Sequence, residues 1–375
     1  MRWKMRKTKI ICTLGPASSS LQTISDMIKA GMDVARINFS HATQRDREFL
    51  VNCLNKARKQ TGKEIPILFD MQGPEVRIGF VEGSDKDIKA EIQLKKNSIV
   101  TFICDEKNTL KNGKKSTPKE IYVSHNNLNK DVKKGYELLI DDGRIKTKVV
   151  DIKGKKIYAK VLNESTLSSR KGINIPKANI SLPAISPKDK KDLKFAVNNG
   201  ADFIAISFVR DTQDVAEIRE FLHENKGDHV KLISKIENKQ GIHNLDHIIK
   251  ISDGIMVARG DLGVELPYES IPSVQKEIIS KTLLSNKLVV TATEMLDSMI
   301  RKHSPTQAEV ADVYHAVQQS STCVMLSAET AMGHDPVAAV KAMDKIAEKT
   351  EKEIDHQKKF SKQQFRAKGH ITSSV

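Results

Sequence analysis

The 375 residues are too many for one compact core and suit a large domain with a smaller one; 39% are hydrophobic and 29% charged, which excludes a disordered or fibrous chain. The net charge of +15 invites a nucleic-acid partner, but the basic residues are spread along the chain and only 5% are aromatic, a pattern that fits attraction of small polyanions such as nucleotides instead. The four cysteines form no CxxC pair and no apolar stretch nears the roughly 18 residues of a membrane span, so a cytoplasmic protein is expected, without disulfides, structural zinc, signal peptide or membrane partner.

In chain order, short runs rich in Ile and Val alternate with helix-length segments. The runs are KIICTLG (9–15), MDVARINFS (32–40), IPILFDM (65–71), DFIAISF (202–208), KLISKIE (231–237), GIMVARGDLG (254–263), KLVVTATEML (287–296) and CVMLSAET (323–330). They are apolar on both faces, which predicts buried strands of a parallel sheet. Segments such as LQTISDMIKAG, PKDKKDLKFAVNNGA and TQDVAEIREFLHENKG read as helices, two of them closing on a glycine. Eight strands in βα alternation predict the α/β class and a (β/α)8 TIM-type barrel.

The third and fourth runs are separated by residues 73–182, where short alternating stretches (KDIKAEIQL, SIVTFI, IKTKVVDIKGKKIYAKVL) lie between turns such as Asp142-Gly143 and Gly154-Lys155. That texture predicts an inserted antiparallel β-barrel domain, placed as a lid over the barrel mouth. The expected organisation is barrel over 1–72 and 183–350, lid over 73–182, and a charged tail over 351–375.

Polar residues fall at the C-terminal ends of the runs: Arg36 with Asn38 and Ser40, Asp70, Lys235 with Glu237, Asp261, Thr293, and Ser327 with Glu329. In a barrel those ends share one mouth, where barrel enzymes place catalysis. One such charge could be a structural ion pair; six strands showing it together argue for a site. Glu237 and Asp261 end neighbouring strands and suit Mg²⁺ or Mn²⁺ completed by substrate oxygens, the alternative being a carboxylate pair bridged by Lys235 or Arg259. Lys235 shares a strand face with Glu237, placed either to neutralise a phosphoryl group in transfer or to form a Schiff base. ARGDLG offers main-chain N–H groups at Gly260 and Asp261 to a carboxylate or phosphate. No GxxxxGK[ST] is present, which excludes a P-loop enzyme. Asn38, Ser40 and Asp70 supply three oxygens but one charge, a set suited to a monovalent cation.

The ordered motifs KIICTLGPAS, VARINFSH, FDMQGPEVRIG, SRKGINIP, SKIENKQGI, DGIMVARGDLGVE, ATEMLDSM and CVMLSAETA closely resemble the pyruvate kinase family along essentially the whole chain. The resemblance implies transfer of phosphoryl from phosphoenolpyruvate to ADP, the last step of glycolysis. It implies that Arg36, Lys235, Gly260, Asp261 and Thr293 contact phosphoenolpyruvate, that Lys235 stabilises the phosphoryl group, and that Ser327 belongs to the relay protonating the enolate. Mg²⁺ would lie on Glu237 and Asp261, and K⁺ on Asn38, Ser40, Asp70 and the carbonyl of Met71. Nucleotide would bind along Asn38, Phe39, Ser40 and His41, with Arg77 and Lys171. Departures from the family pattern are Met71 for Thr, Gln72 for Lys, Glu294 for Gln, Ala328 for Gly, Met332 for Lys and Gln307 for Arg. Glu294 in particular is expected to add negative charge near phosphates. The chain ends where relatives continue into a C-terminal domain; hence a short form is expected, without effector response and at most a homodimer through the barrel. Two rival readings stand beside this one: a non-catalytic metabolite-binding paralogue, and a metal-dependent lyase acting on pyruvate or oxaloacetate.

Overall fold

The computed structural model describes residues 6–40, 42–84, 90–110 and 112–354. Its centre is a closed barrel of eight parallel strands, β1 (Lys9–Thr13), β2 (Val34–Asn38), β3 (Ile67–Asp70), β4 (Phe203–Ile206), β5 (Lys231–Ile236), β6 (Gly254–Ala258), β7 (Leu288–Ala292) and β8 (Cys323–Leu326). Each neighbours the next in sequence, and β1 closes the ring on β8 with Ile10 opposite Val324.

The strands alternate between two cores. Ile11, Leu68, Ala205, Ile233, Met256 and Val290 fill the barrel interior, while the residues on either side, such as Ile10, Phe69, Leu232, Ile255 and Val289, pack outward against the helices. Burial on both faces is why the strands read as unbroken apolar runs. They are shorter than the sequence runs: β6 stops at Ala258, where the helix Arg259–Glu265 begins, and β8 stops at Leu326, one residue before the short helix Ala328–Ala331. Past the parallel ladder the backbone finds its hydrogen bonds in helical turns instead.

Helices Leu21–Ala30 and Pro187–Asn198 close on Gly31 (φ +123°) and Gly200 (φ +72°). The helix Thr212–Glu224 differs from expectation, because Lys226 (φ +62°) rather than Gly227 takes the left-handed position. Among the described residues no helix is long and apolar enough to cross a membrane.

Between β3 and β4 the chain forms a six-stranded sheet and a two-stranded one around a core of their own, which includes Val100, Phe102, Ile121, Leu138, Ile145 and Ile157. Between their strands pairing is antiparallel except that Ile99–Cys104 and Glu120–Val123 run parallel, and an isolated bridge between Val81 and Ser116 is parallel too, which corrects the all-antiparallel expectation. The intervening segment carries the chain back to the same edge and so permits that pairing. Gly73 marks the departure from the barrel: its φ is +71°, and a Cβ there would stand 2.8 Å from the carbonyl oxygen of Ser207. Of the expected tail, residues 355–375 lie outside the described residues.

Candidate active site

The inward parity of each strand, carried past its last apolar residue, leads to the mouth. Two residues beyond Ile11 stands Thr13; beyond Val34, Arg36 and then Asn38; beyond Leu68, Asp70; beyond Ala205, Ser207; beyond Ile233, Lys235 and then Glu237. The packing that buries an apolar side chain inside the barrel therefore aims the next inward residue into the cleft.

The cleft, of about 340 Å³, lies between the barrel mouth and the inserted sheets. The insert contributes Glu75, Arg77, Asp141, Asp142 and Lys171. Six carboxylates (Asp70, Glu75, Asp141, Asp142, Glu237, Asp261) thus face four cationic side chains (Arg36, Arg77, Lys171, Lys235).

At its floor Lys235 Nζ lies 2.8 Å from Glu237 Oε1 and 3.3 Å from Asp70 Oδ1, and donates to Ser207 Oγ at 2.8 Å. Burial alone would depress this ammonium, but Asp70, Glu237 and Asp261 outweigh it and hold the group above its ordinary range. Asp70 is itself buried, yet its carboxyl is lowered by Lys235 and by Arg36, which binds Oδ2 at 2.8 Å and 2.7 Å. Arg36 also reaches Thr13 Oγ1 at 2.8 Å.

Glu237 is 1% exposed, and burial raises its carboxyl to about 7, against the pull of Lys235 and with Asp261 adding to the rise. Asp261 is likewise raised by burial, against the pull of Lys235 and with Asp142 and Glu75 adding to the effect. Two adjacent carboxyl groups that resist ionisation are a pair short of positive charge. Among the described residues no three His, Cys, Asp or Glu side chains are grouped to hold a metal. The adjacent Glu237 and Asp261 carboxyl groups suit a hard divalent cation that takes two carboxylate oxygens and completes its shell from elsewhere. Arg259 does not bridge the pair; it binds Asp312 at 2.6 Å and 2.7 Å.

Thr293 and Glu294 both have left-handed backbones, φ +69° and +54°, an uncommon conformation for a β-branched residue. The segment is held by Arg259, whose Nη2 donates to Thr293 O at 2.6 Å. Gly260, expected as a free main-chain donor, gives its N–H to Thr293 Oγ1 at 2.8 Å. Thr293 lines the cleft, whereas the side chain of Glu294, the next residue, is exposed and is not part of its lining.

Asn38, Ser40, Asp70 and Met71 are adjacent around the turn after β2 and the end of β3. Asn38 Oδ1 accepts from Ser40 N at 2.9 Å, and Met71 O accepts from Ser207 Oγ at 2.6 Å. Asn38 Oδ1 and Met71 O each keep a second lone pair that suits a monovalent cation, whereas Asp70 Oδ2 is taken twice by Arg36 and leaves only Oδ1, shared with Lys235. Phe39 points the other way. Its ring is 1% exposed and stacks on Phe69 at 5.4 Å, with Arg47 over its face at 4.1 Å, so its side chain serves the core and offers a ligand nothing. His41 lies outside the described residues.

Arg77 pairs with Glu75 at 2.5 Å, and its buried Nε has no partner among the described residues. Lys171 Nζ binds Asp141 at 2.7 Å. Between them, a Cβ on Gly172 would lie 1.8 Å from Glu75 Oε1, so only glycine admits the carboxylate there. Ser327 Oγ is buried and has no partner among the described residues. Glu329, expected at the mouth, instead accepts N–H groups from Leu296 at 3.0 Å and Ser327 at 2.7 Å, a structural tie between two loops.

Sequence reasoning missed Ser207, Thr13, Asp141 and Asp142. The first two were signalled by strand parity, while the aspartates rest on long-range placement of the insert.

The family model described as "Pyruvate kinase, barrel domain" matches residues 5–340. The pyruvate kinase of Bacillus licheniformis is 43% identical over 373 residues, covering 99% of this chain and 62% of that protein. That of Geobacillus stearothermophilus is 42% identical over 372 residues, 99% of this chain and 61% of its own length. The Clostridium perfringens enzyme is 40% identical over 353 residues, 94% of this chain and 72% of its own. The chain thus spans about three fifths of the first two relatives. With a family match over nearly its entire length and these identities, the chain belongs to the pyruvate kinase family.

Proposed function

We propose that the cleft transfers the phosphoryl group of phosphoenolpyruvate to the terminal phosphate of ADP, giving pyruvate and ATP. The observation that carries this reading is Lys235, an ammonium fixed among Asp70, Glu237 and Ser207 at the floor of a cleft with two more carboxylates than cations. Such a cleft repels polyanions unless cations accompany them, and nucleotides and phosphoenolpyruvate do bind in company with divalent metal.

Glu237 and Asp261 would hold Mg²⁺ or Mn²⁺, and Asn38, Ser40, Asp70 and Met71 O would hold K⁺. When bound, the divalent ion supplies charge neutralisation at the phosphoryl and carboxylate oxygens. Arg36, with Thr293 at the facing wall, orients phosphoenolpyruvate. Lys235 offsets negative charge on the phosphoryl group as its bond to the enol oxygen breaks and a bond to the ADP oxygen forms. The enolate left behind takes a proton at its methylene carbon, and the unpartnered Ser327 hydroxyl supports a place in that relay. Arg77 and Lys171 reach in from the inserted sheets, which act as a lid that holds nucleotide and excludes water. The same reading places the protein in the cytoplasm, with small-molecule partners and dimerisation through the barrel; four buried free cysteines support a reducing compartment.

The test is pyruvate release with ADP, phosphoenolpyruvate, Mg²⁺ and KCl, repeated with NaCl in place of KCl and with oxaloacetate as sole substrate. ADP-dependent pyruvate formation that is faster in K⁺ is expected. Release from oxaloacetate without ADP dependence would overturn the reading in favour of a lyase.

A further inference from the structure

The cleft does not account for a second buried carboxyl group at the junction of barrel and insert. Glu265 is the last residue of the helix Arg259–Glu265, one turn beyond Asp261 on the same helix face, and is only 9% exposed. A carboxylate there stands at the negative pole of the helix, an unfavourable place that needs compensation. Asn174, from the insert, and Lys239, from the barrel, line one cavity together with Glu265, and both draw its carboxyl downward against burial. That cavity, of about 90 Å³, has apolar walls that include Val76, Ile173, Ile175 and Phe208.

Asn174 belongs to the strand Ile173–Asn174, which pairs with Glu137–Ile140 and is bonded from Ile173 N to Val76 O at 2.7 Å. Directly before it come Gly172, against which Glu75 packs, and Lys171, which binds Asp141. A hold on Asn174 is therefore a hold on the segment that carries Lys171.

We propose that Glu265 is the barrel-side latch of the lid, a positioning residue that grips Asn174 and so keeps Lys171 and Gly172 over the cleft. It acts through the same helix that bears Asp261 and makes no contact with the cleft itself. Reading its effect as nucleotide affinity rests on the phosphoryl-transfer function above; the latch itself does not. A second tie, Arg210 Nη1 to the carbonyls of Ile180 and Leu182 at 2.7 Å and 2.8 Å, secures the strap that returns to the barrel, so the lid stays hinged when the latch lets go.

The latch responds to pH. Burial raises Glu265 to about 7, opposed by Lys239, Asn174 and the Lys239 N–H. The other charged groups around the cavity are Glu75, committed to Arg77, and Arg210, committed to Asp214. Closure takes the carboxyl out of water and raises its pKa, so the protonated form favours the closed lid. That advantage is present at low pH and is lost as pH rises through about 7.

The experiment compares wild type with Glu265→Ala, Glu265→Gln and Asn174→Ala, by amide hydrogen exchange over residues 171–176 and by KM for ADP and for phosphoenolpyruvate. In Glu265→Ala and Asn174→Ala, exchange over that segment and KM for ADP should each rise roughly tenfold, while KM for phosphoenolpyruvate and kcat at saturation stay within about twofold. Glu265→Gln should retain the same protection at about pH 8 as at about pH 6, whereas the wild type should lose protection over that interval. Unchanged exchange in the alanine variants, or the wild-type loss of protection repeated in Glu265→Gln, would overturn the proposal. If Glu265→Ala does not fold, Asn174→Ala decides from the lid side. If wild type transfers no phosphoryl group, the exchange measurement still decides the latch, while the functional reading fails on its own.

Discussion

Lys235 Nζ and Glu237 Oε1 lie 2.8 Å apart, one from the inward face of β5 and the other from the residue just past its end. Glu237 is buried and Lys235 nearly so, and each favours the other's charged form: the lysine opposes the burial that raises Glu237, and the carboxylates oppose the burial that would depress the lysine. The pair is thus preorganised charge, which acts on a transferring group without the cost of solvent rearrangement.

If Lys235 acts on the transition state, Lys235→Met lowers kcat and kcat/KM together by roughly 10²–10³-fold, with binding of phosphoenolpyruvate largely kept. Steady-state kinetics paired with a ligand titration check this. Near-full turnover in the variant would remove Lys235 from the mechanism.

Divalent metal should stabilise the protein in a pH-dependent way. The raised carboxyl of Glu237 means that, in the metal-free protein, its protonated form stabilises the fold, an effect present at low pH and lost as pH rises through about 7. Metal must displace that proton, so Mg²⁺ or Mn²⁺ should raise Tm more at about pH 8 than at about pH 6. Glu237→Gln should erase the metal-dependent rise at both. Thermal unfolding with and without metal measures it, and a rise independent of pH would contradict the assignment.

Gly172→Ala would place its Cβ on the Glu75 carboxylate. The carboxylate is the mobile end of its side chain, so the fold should lose less than about 1 kcal/mol, but the Arg77 pair must break. Nucleotide affinity should fall several-fold in Gly172→Ala and in Glu75→Ala, and no further in the double variant, because both act through one carboxylate. Additive losses in binding titrations would count against this coupling.

Arg259 holds the left-handed Thr293–Glu294 segment through the Thr293 carbonyl and is itself anchored by Asp312. Lysine cannot reproduce that fork, so Arg259→Lys should destabilise the protein by about 1–3 kcal/mol and raise KM for phosphoenolpyruvate through misplacement of Thr293. Denaturant unfolding and saturation curves test both effects. Unchanged KM would mean that Thr293 keeps its place without the clamp.

The barrel was legible because both faces of its strands are buried, so eight apolar runs stand out from the helices between them. The polar residues closing those runs were legible too, since a charge at the end of a buried strand needs a reason. Strand ends were read too long, as at Ala258, because the step from strand to helix is made by hydrogen-bond partners and not by hydrophobicity.

By itself the sequence determined the parity of each strand, and with it the direction in which Arg36, Asp70 and Lys235 would point once the sheet closed. Only the tertiary structure decided the rest. Phe39 went to the core because Phe69 and Phe195 were there to receive its ring; Glu329 became a loop tie because Leu296 and Ser327 presented their N–H groups to it. Asp141, Asp142 and the partner of Glu265 come from the insert, far away in sequence, and no local pattern encodes which barrel residues they meet. Parity is set by the geometry of neighbouring peptide units, whereas such meetings exist only after two separate cores have formed and been brought together.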